Sequence, residues 1–238
     1  MLKILVTNDD GIDSPRLAFL AEKAKKYGEV WVAAPNTQMS AMSHRITFSG
    51  LSGRKIADYP VSGVHAYSIT GTPADCVRIA KGNIVPGGPD VVLSGVNDGF
   101  NCGGDVQYSG TVAAAFEGAF YGYHAIALSE DWGDCHEVIE TYLDDILGEL
   151  LQKPLKRNEI WNVNFPTCPL SELKGVLWNR TLSEKKFDID IYDEEEQEDG
   201  SVVYHMRSEK DPVSEVGSDK EALLNQYISI GALSRIKE

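Results

Sequence analysis

A mostly parallel, doubly wound α/β sheet carrying a C-terminal β-hairpin arm is the fold class that this chain of 238 residues predicts. Three observations predict it. Short apolar runs at 2–7, 29–34, 89–93, 124–129 and 161–165 alternate with helical patterns, the signature of a parallel sheet. Polar, glycine-dense stretches follow several of these runs, and open α/β sheets bind ligands at the carboxyl ends of their strands. After Pro169 the pattern changes to two β-like runs, 186–192 and 201–207, around an acidic segment, which reads as a hairpin.

The first run ends in Asn8-Asp9-Asp10-Gly11. That tetrapeptide is good turn chemistry. Two adjacent carboxylates after a central strand are nevertheless costly unless a cation sits between them. A helix over 15–26 follows, capped by Ser14 with Pro15 in its first turn. The strand 29–34 is stopped by Pro35, and the loop 36–45, with Ser40 in it, faces the same edge as Asp9 and Asp10. His44 in that loop reads as a structural histidine. Residues 46–68 are β-rich and glycine-punctuated, a hairpin excursion. Gly71-Thr72-Pro73-Ala74-Asp75 starts the next helix, with Thr72 as cap and Asp75 complementing the helix dipole.

The stretch 89–111 organises the chain. Its strand is bounded by Pro89 and Ser94, and a long polar loop follows. Asn97, Asn101 and Asp105 supply oxygens that suit a hard cation. The loop ends at Ser109-Gly110-Thr111, just before an alanine-rich helix. Free N–H groups at a helix start, with hydroxyls beside them, form an anion site, and glycine lets an oxyanion approach the backbone. A phosphate and a metal are expected to meet here. The strand 124–129, a helix over 134–152 and the strand 161–165, stopped by Pro166, complete a core over residues 1–169. Residues 170–238 read as an arm with a closing helix at 219–225 and strand at 226–230. Ile189, Ile191, Val203 and Tyr204 of the hairpin need a cover, and an exchanged arm between subunits supplies one. The acidic tip at 193–199 is expected to stay solvated.

Several classes are excluded. A net charge of −14 repels a phosphate backbone, so no nucleic-acid polymer is expected as partner. No apolar run approaches the roughly 18 residues of a membrane span, so no membrane partner is expected. The chain starts directly in a strand, and its four cysteines are scattered small hydrophobes, which reads as cytoplasmic. GxxxxGK[ST], HExxH and a GxGxxG after a strand are absent.

The sequence resembles the SurE survival-protein family of metal-dependent nucleotidases. The resemblance is carried by Ile4–Gly11, Ala34-Pro35 with Ser40 and Ser43-His44, Gly71–Val77, and Ser94-Gly95-Val96-Asn97 with Asn101. Gly104-Asp105, Tyr108–Val112, Glu117-Gly118 and Asn162–Pro166 extend it. It implies a Rossmann-like core and hydrolysis of nucleoside 5′- or 3′-monophosphates, with reach to short polyphosphate. It implies one Mn²⁺ or Mg²⁺ per subunit, held by Asp9, Asp10, Ser40 and Asn97, and a phosphate on Asn101, Ser109, Gly110 and Thr111. Asp9, Asn8 and Asn101 are the candidate catalytic residues. A homodimer or homotetramer built through the C-terminal end is also implied. The alternative is a non-catalytic nucleotide or phosphate sensor. Arg16 and Ala41 stand where the family usually has glycine, Met42 where a small residue is usual, and the tail lacks the usual Thr-Pro.

Overall fold

The computed structural model describes residues 1–235; the last three residues of the predicted arm, 236–238, lie outside the described residues. Its elements follow in chain order as β1 (Leu2–Thr7), α1 (Pro15–Ala24), β2 (Gly28–Pro35), β3 (Gly53–Ile56), β4 (His65–Ile69) and α2 (Pro73–Ile79). Then come β5 (Val91–Asp98), α3 (Gly110–Phe120), β6 (His124–Glu130), α4 (Glu137–Leu150) and β7 (Glu159–Phe165). The chain closes with β8 (Val176–Leu177), β9 (Asp188–Glu196), β10 (Val202–Lys210), α5 (Asp219–Leu224) and β11 (Ile228–Ser234). Nine strands form one sheet in the order β3-β4-β2-β1-β5-β6-β7-β11-β8, and β9 and β10 form a separate pair. No helix among the described residues is long and apolar enough to cross a membrane.

β1 pairs in parallel with β2 on one side and β5 on the other. The order therefore reverses at β1/β5, the crevice where open α/β sheets bind ligands. Alternation along β1 divides the core into two layers. Ile4 and Val6 pack with Leu17 and Leu20 of α1 and Leu143 and Leu147 of α4. Leu5 packs on the other face with Val77 of α2 and Val112, Ala115 and Phe116 of α3. The helix starts follow the local chemistry. Ser14 Oγ accepts from Leu17 N–H, Thr72 forms a full capping box with Asp75, and Ser109 Oγ accepts from Val112 N–H.

Three elements depart from expectation. β5 does not stop at Ser94: after a register shift its pairing with β6 resumes at Asn97 and Asp98. The longer β6 supplies the partners, and Gly95 permits the passage. Its φ is +135°, the Gly95–Val96 peptide is cis, and a Cβ there would lie 2.2 Å from Leu128 O. The acidic segment stays exposed as expected, but only Glu198 and Asp199 of it lie at the tip. Asp193 and Glu194 to Glu196 belong to β9, and the turn is 197–201, closed by Gln197 N–H to Ser201 O. A ribbon exposed on both faces tolerates charge at every position, and Arg207 and His205 meet Asp193 and Glu195 across it at 3.0 and 2.8 Å. Finally, β11 extends to Ser234 and lies inside the main sheet, antiparallel to β7 and parallel to β8. Among the described strands only β9 and β10 stand apart from the main sheet.

Glu117 ties the loop 36–45 and α2 to α3. It is buried, accepts from Arg78 Nη1 at 2.9 Å, and lies 2.8 Å from His44 Nε2. Arg235 Nη1 donates to His44 Nδ1 at 3.1 Å, so the ring proton is assigned to Nε2, which donates to Glu117. His44 also stacks on Phe120 at 5.6 Å. Burial works to raise the Glu117 pKa, but the bonds from His44 and Arg78 outweigh it and the net shift is downward. A lowered carboxylate pKa contributes stability above the unfolded value, and that stability is lost as pH falls through the folded one. Glu117→Gln is therefore expected to cost about 1.5–3 kcal/mol at pH 7. Urea unfolding at neutral pH and near pH 4 checks this, with the gap between variant and parent narrowing at the acidic end.

Candidate functional site

The site grows from the end of β1. Asn8 closes the turn that follows: its Oδ1 accepts from Gly11 N–H at 3.2 Å and its Nδ2 donates to Gly11 O at 3.1 Å. Fully buried, Asn8 shapes the loop with both ends of its amide. Asp9 is also buried, and α3 holds it. Thr111 N–H donates to Asp9 Oδ2 at 3.2 Å and Thr111 Oγ1 donates to Asp9 Oδ1 at 2.5 Å. Burial pushes the Asp9 pKa up, while the Thr111 bonds and nearby backbone N–H groups pull it back. The Asp9 carboxylate thus sits as the anion at the positive end of α3. Gly110 makes room for it: a Cβ there would lie 2.9 Å from Asp9 Cβ and 3.0 Å from Oδ2. Both donors of Thr111 are committed to Asp9, so a phosphate would find neither free.

Asp10 carries the unmet demand. Its Oδ2 is buried without a hydrogen-bond partner. Burial, then the charges of Asp9 and Asp98, raise its pKa to about 6. This is the situation that a hard cation relieves.

The Ser40 loop is pinned from two sides. Met39 N–H donates to Asp9 O at 2.7 Å, and Ser43 N–H donates to Tyr108 O at 2.8 Å. Ala41 and Ser43 have φ of 58° and 51°, so the loop's left-handed backbone gives a physical reason for glycine where Ala41 stands. Asn97, at the end of β5, donates to Gly99 O at 2.7 Å, and its Oδ1 lies 3.4 Å from Thr111 Oγ1. Asn101 is locked by β7: its N–H donates to Asn164 Oδ1 at 2.8 Å, and its carbonyl accepts from Asn162 and Asn164. Its own Nδ2 donates to Ser129 Oγ at 2.8 Å. Asn162 and Asn164 were not assigned this role from sequence. The signal was present, since two amides at i and i+2 of an apolar strand share a face and need partners.

Asp9, Ser40, Asn97, Asn101 and Ser109 line one open cavity of about 470 Å³. Asn8, Asp10, Gly110 and Thr111 are not among its lining residues. Six carboxylates line it (Asp9, Asp98, Asp105, Asp131, Asp188, Asp190) against Lys210. The last two acids and Lys210 come from the hairpin, which therefore walls the cavity. Beside it, Arg16 on α1 pairs with Asp98 at 3.1 Å and with Glu130, and His136 lies 3.0 Å from Glu130. This ion-pair cluster was not visible from sequence, because Arg16 stands 114 residues from Glu130 along the chain. No cluster of three or more His, Cys, Asp or Glu able to hold a metal occurs among the described residues. A metal here would take Asp9 and Asp10 with neutral oxygens from Ser40 and Asn97, and the orphaned Asp10 Oδ2 fits such a set.

Residues 4–188 match the family described as "Survival protein SurE". The chain belongs to the SurE family. It is 36% identical over 240 residues to the 5′-nucleotidase SurE of Clostridium botulinum (strain 657 / Type Ba4), covering 98% of this chain and 92% of that one. It is 37% identical over 244 residues to the 5′-nucleotidase SurE of Brucella anthropi, covering 98% and 91%. The crystal structure of the SurE protein from Aquifex aeolicus superposes with a TM-score of 0.82 at 34% identity, covering 98% of this chain and 93% of that one. The mostly parallel α/β fold is thus a SurE fold, and its family match ends where the hairpin begins.

Thr111→Val keeps the shape of the side chain and removes the bond to Asp9. The loss of a buried bond to a charged group is expected to lower stability by about 1.5–3 kcal/mol, and Thr111→Ser should restore most of it. Urea unfolding in metal-free buffer measures both variants.

Proposed function

We propose that this SurE protein is a divalent-metal-dependent phosphomonoesterase that hydrolyses nucleoside 5′-monophosphates to nucleoside and phosphate. 3′-Monophosphates and short polyphosphate belong to the same proposal. The observation that carries it is the buried Asp9 carboxylate clamped at the start of α3, on a cavity it shares with Ser40, Asn97 and Asn101. Relatives named 5′-nucleotidase SurE, matched over nearly the whole chain, support the substrate class.

Asp9, Asp10, Ser40 and Asn97 would hold the ion, Mn²⁺ or Mg²⁺, one per subunit. When bound, it neutralises phosphate oxygens and lowers the pKa of water. It also answers the acidity of the cavity, which by itself repels the substrate. Ser109 uses an oxygen lone pair on Val112 N–H and keeps its hydroxyl proton for a phosphate oxygen. Asn101 uses one amide hydrogen on Ser129 and keeps the second. These donors are fixed before substrate arrives, so charge on the transferring group is stabilised without reorganisation. Both oxygens of Asp9 already accept hydrogen bonds, which makes the carboxylate a poor nucleophile. Water therefore attacks phosphorus directly, the P–O bond to the nucleoside breaks, and the departing alkoxide takes up the proton that the water gives up. Asn8 serves the reaction by holding the turn that presents Asp9.

The decisive measurement is phosphate release from nucleoside monophosphates by the purified protein with and without Mn²⁺. Activity that needs the ion is expected, and Asp9→Asn should lower it by about a hundredfold or more, the scale of several kcal/mol of lost charge stabilisation. Nucleotide binding without phosphate release would mark the protein as a sensor.

The assembly is part of the same proposal. Tyr192, Val203, Tyr204 and Met206 of the hairpin are 41–61% exposed, which is costly for a soluble two-stranded ribbon. A second copy of the chain covers them in a homodimer, or in a homotetramer built from it. The cysteines are unpaired, which fits a cytoplasmic protein. Ile191 and Arg207 are register partners, so replacing 191–207 with a tight turn shortens the ribbon without opening it. Light scattering after size-exclusion chromatography should then show fewer subunits per particle; an unchanged number would remove the hairpin from the interface.

A further inference from the structure

We propose that Trp132 is the platform on which the nucleobase of the substrate stacks, an assignment that rests on the nucleotidase reading above. Trp132 follows β6 at the lip of the cavity that Asp9, Asn97, Asn101 and Ser109 line, and it is 68% exposed. Its backbone is nevertheless fixed. Asp131 N–H donates to Phe165 O at 3.1 Å, Thr167 Oγ1 donates to Asp131 O at 2.8 Å, and Trp132 N–H donates to Asp131 Oδ1 at 2.9 Å. The indole leans on Gly99: a Cβ at that position would lie 2.7 Å from Nε1 and 3.2 Å from Cε2. Gly99 in turn donates its N–H to Glu130 O at 2.7 Å and accepts from Asn97 Nδ2 through its carbonyl at 2.7 Å. The ring is thus braced against the same short segment that presents Asn97 to the phosphate end of the cavity.

The other aromatics of the cavity are already engaged. Phe100 and Phe187 pack edge-to-face at 5.0 Å in a cluster with Cys102 and Leu223. Tyr108 has the Lys186 ammonium over its ring at 4.7 Å. No ring or cation stacks on Trp132 among the described residues. A large, braced, unstacked indole in one cavity with the donors of Ser109 and Asn101 matches a nucleotide, which carries a flat heterocycle a few bonds from its phosphate. Asp131, next to Trp132, and Asp188 line the same cavity and offer acceptors to amino groups of a base or hydroxyls of a ribose, and they repel a second phosphate. Stacking uses the π-face that every base has, so the platform selects nucleotides over simple phosphate esters and favours the larger purines without reading the base edge strictly.

The test compares the parent protein with Trp132→Ala and Trp132→Phe. The readout is the ratio of kcat/KM for AMP to that for glycerol 2-phosphate, both with Mn²⁺. For Trp132→Ala the ratio is expected to fall by about ten- to a hundredfold, through KM, with Trp132→Phe recovering most of it. A ratio unchanged in Trp132→Ala overturns the assignment. A second measurement does not need catalysis. Adenosine should quench the tryptophan fluorescence of the parent, and this quench should vanish in Trp132→Phe although three of the four tryptophans remain. A quench that persists in Trp132→Phe overturns the platform and leaves the nucleotidase reading intact. A quench that depends on Trp132 in a protein releasing no phosphate from any nucleotide sustains the platform and overturns that reading instead.

Discussion

The placement of the Asp9 carboxylate against the first turn of α3 is the constraint on which the rest of this structure depends. Burying a carboxylate costs several kcal/mol unless its lone pairs are met. Thr111 meets both oxygens, and the helix dipole lies behind it. That arrangement requires β1 and α3 to end at one edge, which the reversal of strand order between β1 and β5 provides. It requires residue 110 to lack a Cβ. It also requires α3 to lie flat on the sheet, and its run of alanines with Gly118 lets it do so, with every residue from Gly110 to Ala119 buried.

Around that anchor the fold concentrates negative charge. Asp10 is pushed toward neutrality by burial and by its neighbours, and Arg16 is the nearby cation that offsets part of the field. The loops carrying Ser40 and Asn101 are held by hydrogen bonds to the Asp9 backbone, to Tyr108 and to β7, with Phe100 and Cys102 adding apolar contacts beside Asn101. A site built in this way is rigid before any ligand arrives, which favours stabilisation of charge that develops in a transition state. The hairpin contributes a wall of the cavity while leaving its own apolar residues in water. The base of this ribbon is fixed by Phe187 N–H to Asp105 and by the buried Lys220 ammonium on Asp211.

Local features were legible in the sequence. Ser14 and Thr72 cap the helices they were expected to cap, because a cap is a bond between residues two or three apart and needs no tertiary partner. The strands of the core were legible for the same kind of reason, since a strand buried on both faces is a continuous apolar run. The extension of β5 to Asp98 was not, because it depends on what β6 offers across the ladder. The position of the hairpin turn was not, because an exposed ribbon has no hydrophobic register to read. The closing strand β11 reads from sequence like part of an arm, and only its pairing with β7 brings it into the sheet.

The sequence by itself determined the α/β class, the edge on which the polar loops gather, and the residue types that gather there, because all three follow from periodicity and from the chemistry of short segments. The tertiary structure decided which of those residues face the cavity and which serve one another. It seated Asp9 on Thr111 and Gly110, made His44 a brace for Glu117, and assigned Asn162 and Asn164 to the backbone of Asn101. It also brought Trp132 to the lip of the site. The reason is physical: a side chain has few donors and acceptors, and their use is settled by whichever partner the fold brings within about 3 Å, a quantity that no local pattern encodes.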